Sequence, residues 1–257
     1  MNMRARADMP FHFGPERELF GMFHAAGSPA QKAVVLCPPL GQDQIRCHRL
    51  YRQLAQVLAD EGVAVLRFDY YGTGDSAGDS VDVDWERCKV DTAIAASELR
   101  MRAGIDRVFA FGARLGGSIA LASAVQARLA GVVAWDPVLD GRAYVSQLDA
   151  MQSALYSDEQ RFMVPRKATD VATQWLGFSI SDTLRRQLTN MHIERPTVPT
   201  LLLDSLLPEV PRYSSGFMAM ARSLQPPTPW DDMRRLEVAV LSHPLIQAVT
   251  RHMREVA

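Results

Sequence analysis

Short apolar runs of β type alternate along this chain with longer amphipathic stretches, and that alternation constrains the fold more than any other feature. It is satisfied by a mostly parallel sheet with helices on both faces, an α/β class of fold. Phe11 to Phe13 and Glu18 to His24 read as an opening antiparallel hairpin. Ala33 to Cys37 is a buried strand stopped by Pro38, Pro39 and Gly41. Arg49 to Ala59 sets Leu50, Leu54, Val57 and Leu58 on one helical face. Gly62 ends that helix, and Val63 to Phe68 is the next strand. The pattern continues with a helix over Trp85 to Met101, a strand over Arg107 to Phe111, a helix over Leu115 to Leu129 and a strand over Val132 to Trp135. Between about Gly141 and Arg195 the alternation breaks. That region carries helical patches at Tyr144 to Tyr156, Ala168 to Leu176 and Asp182 to Asn190 without a buried strand, so it reads as a cap inserted over one edge of the sheet. Thr200 to Leu203 resumes the sheet, Glu237 to Leu241 is expected as the last strand, and Pro244 to Val256 as the closing helix.

A chain of 257 residues can bury a core for one such domain together with the insertion. The formal net charge of -1 supplies no cationic excess for neutralising phosphates, so no nucleic-acid partner is expected. No segment reaches the ~20 apolar residues of a membrane span, and Met1 to Asp8 lacks the apolar run of a secretory signal. Cys37, Cys47 and Cys88 are too few and too scattered for metal-ligand spacing or a disulfide framework. A reduced cytoplasmic protein without metal or cofactor is the expectation. Self-association into an oligomer is left open.

Three motifs appear in a fixed order. Leu36-Cys37-Pro38-Pro39-Leu40-Gly41 follows the first core strand, Phe68-Asp69-Tyr70-Tyr71-Gly72-Thr73-Gly74-Asp75-Ser76 follows the next, and Phe109-Ala110-Phe111-Gly112-Ala113-Arg114-Leu115-Gly116-Gly117 joins strand to helix. Together they resemble the oxyanion loop, the fourth-strand turn and the nucleophile elbow of the α/β-hydrolase superfamily. The resemblance covers nearly the whole chain. It is nearest to serine-aminopeptidase-like hydrolases, and Ile45 to Arg49 with Arg67 to Tyr70 is similar in particular to exosortase-associated and biosynthetic-cluster hydrolases. It implies an α/β-hydrolase fold in a single domain, with the cap at about 141–195 inserted after the sixth strand.

The chemistry departs from the family at one position. A nucleophile elbow reads G-x-S-x-G, with small residues around a strained turn that exposes the serine hydroxyl. Gly112 and Gly116 are present, but the centre is Arg114, whose protonated guanidinium cannot attack a carbonyl. Arg114 is placed either to clamp a substrate carboxylate or phosphate at a helix N-terminus, or to pair internally with a carboxylate at a neighbouring strand end such as Asp136 or Asp204. The resemblance further implies His243, before the last helix, as base. Asp204 after the seventh strand, with Glu209 as a fallback, or Asp136 at the end of the sixth, would orient it. Pro244 directly after His243 also fits a residue that merely opens the helix. Amides near Leu40, Gly41 and Leu115, with Arg114, would hold an oxyanion. His48, between Arg46 and Arg49, either lines the pocket or lies solvated on a first helical turn.

For a substitute nucleophile, Cys37 beside the oxyanion loop is the candidate, set against a buried strand-end thiol. Ser118 reads as a packing residue and Ser76 as a turn hydroxyl. A water activated by His243 is the other route. Trp175, Leu176 and Phe178 either wall an acyl pocket or pack cap on core. His12, His24, His192 and His252 have no motif context.

Two functional classes follow. In the first, a divergent hydrolase acts on an ester, thioester or related acyl group of a small-molecule or carrier-bound substrate. In the second, a pseudohydrolase binds an anionic ligand or partner protein through Arg114. A dinucleotide enzyme is disfavoured, because Gly72-Thr73-Gly74 lacks the later glycine of a phosphate fingerprint. Geometry separates the two: the enzyme needs His243 bonded to a carboxylate and near Arg114 across an open cavity. The binding protein needs Arg114 filling the elbow and plugging the cleft.

Overall fold

In the computed structural model, which describes residues 8–27, 30–158, 173–193, 196–206 and 219–256, the expected alternation becomes an eight-stranded sheet with helices on both faces. The hairpin β1 (Met9–Phe13) and β2 (Leu19–His24) opens it, followed by β3 (Lys32–Cys37), α1 (Gln42–Asp60), β4 (Val63–Phe68), α2 (Trp85–Ala103), β5 (Val108–Ala113), α3 (Leu115–Ser123) and β6 (Gly131–Trp135). Next come α4 (Gly141–Ser157), a small hairpin of β7 (Gln174–Trp175) and β8 (Phe178–Ser179), and α5 (Asp182–Asn190). β9 (Thr200–Asp204), β10 (Ala219–Ser223) and α6 (His243–Glu255) complete the chain. The strand order is β1-β2-β4-β3-β5-β6-β9-β10, antiparallel up to β4 and parallel from there on.

The parallel strands β3, β4, β5, β6 and β9 are short, largely apolar and almost wholly buried, as helices on each side require. On one side α2 and α3 pack through Leu99 and Ile119 onto Val35, Leu66 and Ala110. On the other, α1 and α6 pack through Leu50, Leu54, Leu58 and Val249 onto Val34, Phe111 and Trp135. Each of those leucines is fully buried and contributes about 1.5–3 kcal/mol of transfer free energy. The register pairs Cys37 with Gly112, Ala113 with Trp135, and Trp135 with Leu203, so the carboxyl ends of β3, β5, β6 and β9 reach one edge of the sheet together. Ligands of open α/β sheets bind at that edge.

Three expectations change. Glu237 to Leu241 is irregular, and the last strand is Ala219–Ser223, parallel to β9. The 237–241 segment instead faces α1: Val240 N–H donates to the Arg46 carbonyl, and the Val238 carbonyl accepts from Arg46 Nε at 3.4 Å. The helix expected over Leu115 to Leu129 ends at Ser123, followed by turns in which Arg128 has a φ of 48°. Of the helix expected over Ala168 to Leu176, residues 168–172 lie outside the described residues, and Gln174 and Trp175 form a strand. Residues 159–167, 194 and 195 of the expected insertion also lie outside them.

His24 on β2 carries a prediction. It is buried, lies 2.8 Å from Asp8 through Nδ1, and accepts from Arg67 Nε at 3.1 Å through Nε2. Burial holds its pKa below the ordinary value, the Arg67 charge acting in the same direction against the Asp8 carboxylate. The unfolded chain therefore takes up this proton first, and stability falls as pH drops through the ordinary histidine range near 6.5. His252, also lowered by burial, adds to that slope. Thermal unfolding is expected at a lower temperature at pH 5.5 than at pH 7.5, with a smaller difference in His24→Gln; a flat profile contradicts the assignment.

Candidate functional site

At the carboxyl edge of the sheet the chain turns sharply from β5 into α3, and Arg114 occupies the turn with φ 49° and ψ -128°. A side chain held at that φ is strained by about 1–3 kcal/mol unless its surroundings fix it. Here they do. Arg114 N–H donates to the Trp135 carbonyl at 2.9 Å. Tyr51 of α1 donates its hydroxyl to the Cys37 carbonyl at 2.9 Å and accepts from Ala113 N–H at 2.8 Å, tying β3 to β5 just beneath the turn. Gly112 and Gly116 allow the close approach: a Cβ on Gly116 would lie 2.3 Å from the Cys37 carbonyl oxygen, and one on Gly112 2.4 Å from the Gly116 carbonyl carbon.

Arg114 is 7% exposed and lies between three groups. Its Nε stands 3.5 Å from Asp43 Oδ2, and its guanidinium carbon is 5.3 Å from the ring centroids of both Tyr144 and Trp230. The Nε is buried without a hydrogen-bond partner. Asp43 is the second residue of α1, where a carboxylate complements the helix dipole. It also lies 3.7 Å from Arg46 Nη1. Arg46 is fully buried and donates to the carbonyls of Trp230 at 2.9 Å and Pro229 at 2.7 Å, fixing the 229–240 loop against α1. Burial raises the Asp43 pKa despite both guanidinium charges.

A cavity of about 230 Å³ opens beside this cluster. Leu40, Gly41, Asp43, Arg114 and Leu115 form its floor, Tyr144, Leu148 and Met151 of α4 one wall, and Trp175, Leu176, Phe178 and Ile180 another. The N-termini of α1 and α3 both border it, and the first N–H groups of each helix lack partners within the helix. The lining is mostly apolar, with its charge concentrated at Arg114 and Asp43.

The structure therefore brings Leu40, Gly41, Arg114 and Leu115 together, along with the aromatic residues of the β7–β8 hairpin. It does not bring His243, Asp136, Asp204, His48 or Cys37 to the cavity. His243 is exposed on the first turn of α6 and meets Gln247 Nε2 at 3.0 Å, while Ser242 caps the helix by accepting from Leu245 N–H at 3.2 Å. The Pro244 signal for a helix start thus outweighed the positional signal for a base. Asp136 is buried and saturated: it accepts from Ser205 N–H at 2.6 Å, Ser205 Oγ at 2.5 Å and Trp230 Nε1 at 2.7 Å. Burial raises its pKa against those hydrogen bonds. Asp204 accepts from Leu206 N–H at 2.8 Å at the end of β9, and Glu209 lies outside the described residues.

His48 is exposed on α1 and borders a separate depression with Asp69, Arg67 and Pro39. Cys37 is wholly buried and its pKa is pushed up to about 12 by desolvation, so it supplies no thiolate. Ser118 donates to the Val138 carbonyl at 2.6 Å, and Ser76 to the Asp69 carbonyl at 2.6 Å, both structural. The carboxylate partner of Arg114 is Asp43, not Asp136 or Asp204. An acidic residue in the first turn after Gly41 was the available sequence signal. Tyr144 and Trp230 carried none, because their place depends on the tertiary packing of α4 and the 229–240 loop.

Residues 28–177 match the serine aminopeptidase S33 model. Among solved structures, Est1E from Butyrivibrio proteoclasticus superposes with a TM-score of 0.62 at 14% identity, covering 96% of this chain and 98% of that one. A putative hydrolase from Agrobacterium vitis S4 gives 0.58 at 15% identity, covering 98% of each. A thermophilic esterase from Thermogutta terrifontis, solved with malate bound, gives 0.55 at 16%, covering 97% of each. No curated protein sequence matches the chain. Among the described residues no helix is long and apolar enough to cross a membrane.

Proposed function

The chain belongs to the serine aminopeptidase S33 family of hydrolases, and from that premise we propose that it binds an acyl compound without forming an acyl-enzyme. The apolar part of the ligand fills the cavity under α4, the β7–β8 hairpin and α5, which act as the cap. The carboxylate or carbonyl oxygen sits at Arg114 and the N-termini of α1 and α3. One observation carries this reading: the elbow side chain is a guanidinium in the cavity lining, paired with Asp43 only at 3.5 Å and without a hydrogen bond at Nε. No imidazole or thiol lines that cavity among the described residues. Hydrolysis through His243, the other expectation from the sequence, lacks its base at this site. The anionic end also has physical support, because Arg46, Arg114 and Asp43 sum to one positive charge beside two helix N-termini. The fold-mate from Thermogutta terrifontis, solved with the dicarboxylate malate, is compatible with carboxylate binding on this frame.

Thermal unfolding with octanoate and with octyl phosphate tests the binding. Either ligand is expected to raise the wild-type midpoint. Arg114→Gln, which removes a charge-assisted hydrogen bond worth about 1.5–3 kcal/mol, is expected to weaken affinity roughly 10- to 100-fold. An unchanged shift in that variant contradicts the assignment. A second expectation concerns catalysis. Arg114→Ser restores the elbow pattern yet is expected to hydrolyse p-nitrophenyl octanoate no faster than Arg114→Ala, because no histidine lines the cavity among the described residues to take the hydroxyl proton and pass it to a leaving group. Turnover in the serine variant alone would return the chain to the hydrolytic class.

A further inference from the structure

Asp43 stands in the cavity wall with less to hold it than the other buried carboxylates have. Asp136 accepts three hydrogen bonds from Ser205 and Trp230. Asp91 accepts from Tyr71 N–H at 3.0 Å and Arg87 Nε at 3.1 Å. Asp69 accepts from Asp75 N–H at 3.1 Å and Gln44 Nε2 at 3.3 Å. Each of those three accepts two or three hydrogen bonds at 3.3 Å or less. Asp43 has two cations at 3.5 and 3.7 Å and no closer donor among the described residues, since the Arg46 guanidinium is spent on the carbonyls of Pro229, Trp230 and Val238. Its side chain is 13% exposed, and the space it meets is the cavity. A buried carboxylate with spare lone pairs beside an electrophilic anchor is the arrangement of a general base in carbon-acid chemistry.

We propose that Asp43 is a catalytic base that removes a proton from the carbon next to the bound carbonyl, making the site one for proton transfer on ketones, esters or thioesters. This rests on the reading that the carbonyl oxygen sits at Arg114. Asp43 Oδ2 is 3.5 Å from Arg114 Nε and both side chains line the cavity, so the α-carbon of a carbonyl held by the Arg114 guanidinium, two bonds from the oxygen, comes alongside the carboxylate. The α C–H bond breaks, the proton passes to Asp43 Oδ, and the electron pair moves through the C–C bond onto oxygen as an enolate. Arg114 and the terminal N–H groups of α1 and α3 stabilise that charge. Return of a proton from Asp43 to carbon completes the cycle with no oxidant, reductant or second substrate. The apolar walls keep water from the enolate.

The test uses the whole chain and the S enantiomer of the 2-phenylpropanoyl thioester of N-acetylcysteamine in D₂O. Binding is read from the thermal midpoint and α-proton loss from NMR, with rates compared at probe saturation. Wild type is expected to exchange the α-proton well above the buffer rate, and Asp43→Asn to lower that rate about 10²- to 10⁴-fold. A midpoint shift without exchange overturns the base while leaving the binding reading intact; no shift overturns both. Equal exchange in Asp43→Asn also overturns the base.

Should that variant fail to fold, the wild-type pH profile decides. A carboxylate base gives a rate that levels off above its titration, whereas a rate rising tenfold per pH unit is hydroxide chemistry and overturns the proposal. The other groups facing Asp43 do not confuse that profile. Cys47 on α1 and Tyr144 on α4 are pushed upward by burial, as is Tyr51; Arg46 and Arg114 are the two cations beside it.

Discussion

Gly116→Ala is expected to destabilise the protein by more than about 4 kcal/mol, a large share of the total stability of a domain, and to leave little soluble chain. The added Cβ would lie 2.3 Å from the Cys37 carbonyl oxygen and 2.5 Å from that of Pro38. Both obstacles are backbone at the end of β3, held by Tyr51, so no side-chain rotation relieves them. α3 would have to retreat from β3, breaking its packing on β5 and β6 and shifting its N-terminus away from the cavity. Gly104→Ala is the control. That residue closes α2 with a φ of 65° in open space, so the substitution costs about 1 kcal/mol of backbone strain. Urea unfolding of the two variants measures the contrast. Equal midpoints would show that the β3–α3 approach yields more easily than these distances imply.

Asp136→Ala is expected to cost about 3–5 kcal/mol and to impair the cavity from behind. Truncation strands three buried donors: Ser205 N–H, Ser205 Oγ–H and Trp230 Nε1–H. Each buried, unsatisfied group costs about 1–3 kcal/mol. Trp230 also packs edge-on against Trp135 at 5.0 Å between ring centroids and flanks Arg114. Loosening it should therefore reduce the octanoate-induced midpoint shift as well as baseline stability. Asp136→Asn, which retains an acceptor oxygen, is expected to fall between alanine and wild type. Chemical denaturation with tryptophan fluorescence reads both effects. Loss of stability with full ligand response would limit Asp136 to a role in the fold.

The sheet was legible in the sequence because parallel strands covered on both faces are continuous apolar runs, as in Val108 to Ala113 and Gly131 to Trp135. The glycine pair around Arg114 likewise announced a tight strand-to-helix turn. What failed depended on partners far along the chain. Glu237 to Leu241 alternates well enough for a strand, yet Arg46 draws the carbonyls around it into a buried polar contact that a ladder cannot supply. β10, with its polar Arg222 and Ser223, carries no apolar run that marks a strand, yet it pairs in full register with β9. At the site, chain order pointed to Asp204 and His243, with Asp136 as the other carboxylate. Local chemistry places all three away from the cavity: Asp204 accepts from Leu206 N–H at the strand end, Asp136 is saturated, and His243 opens a helix beside proline. Asp43 is not legible as a site residue in the sequence, because a first-turn aspartate usually serves its own helix.

The turn at Arg114 has an evolutionary consequence. Its shape is dictated by Gly112, Gly116 and the carbonyls of β3 and β6, none of which depends on the side chain at its apex. Structure and reactivity at this point are thus separately heritable. A lineage can exchange the apex residue and change what the protein does to its ligand without first finding a new way to fold.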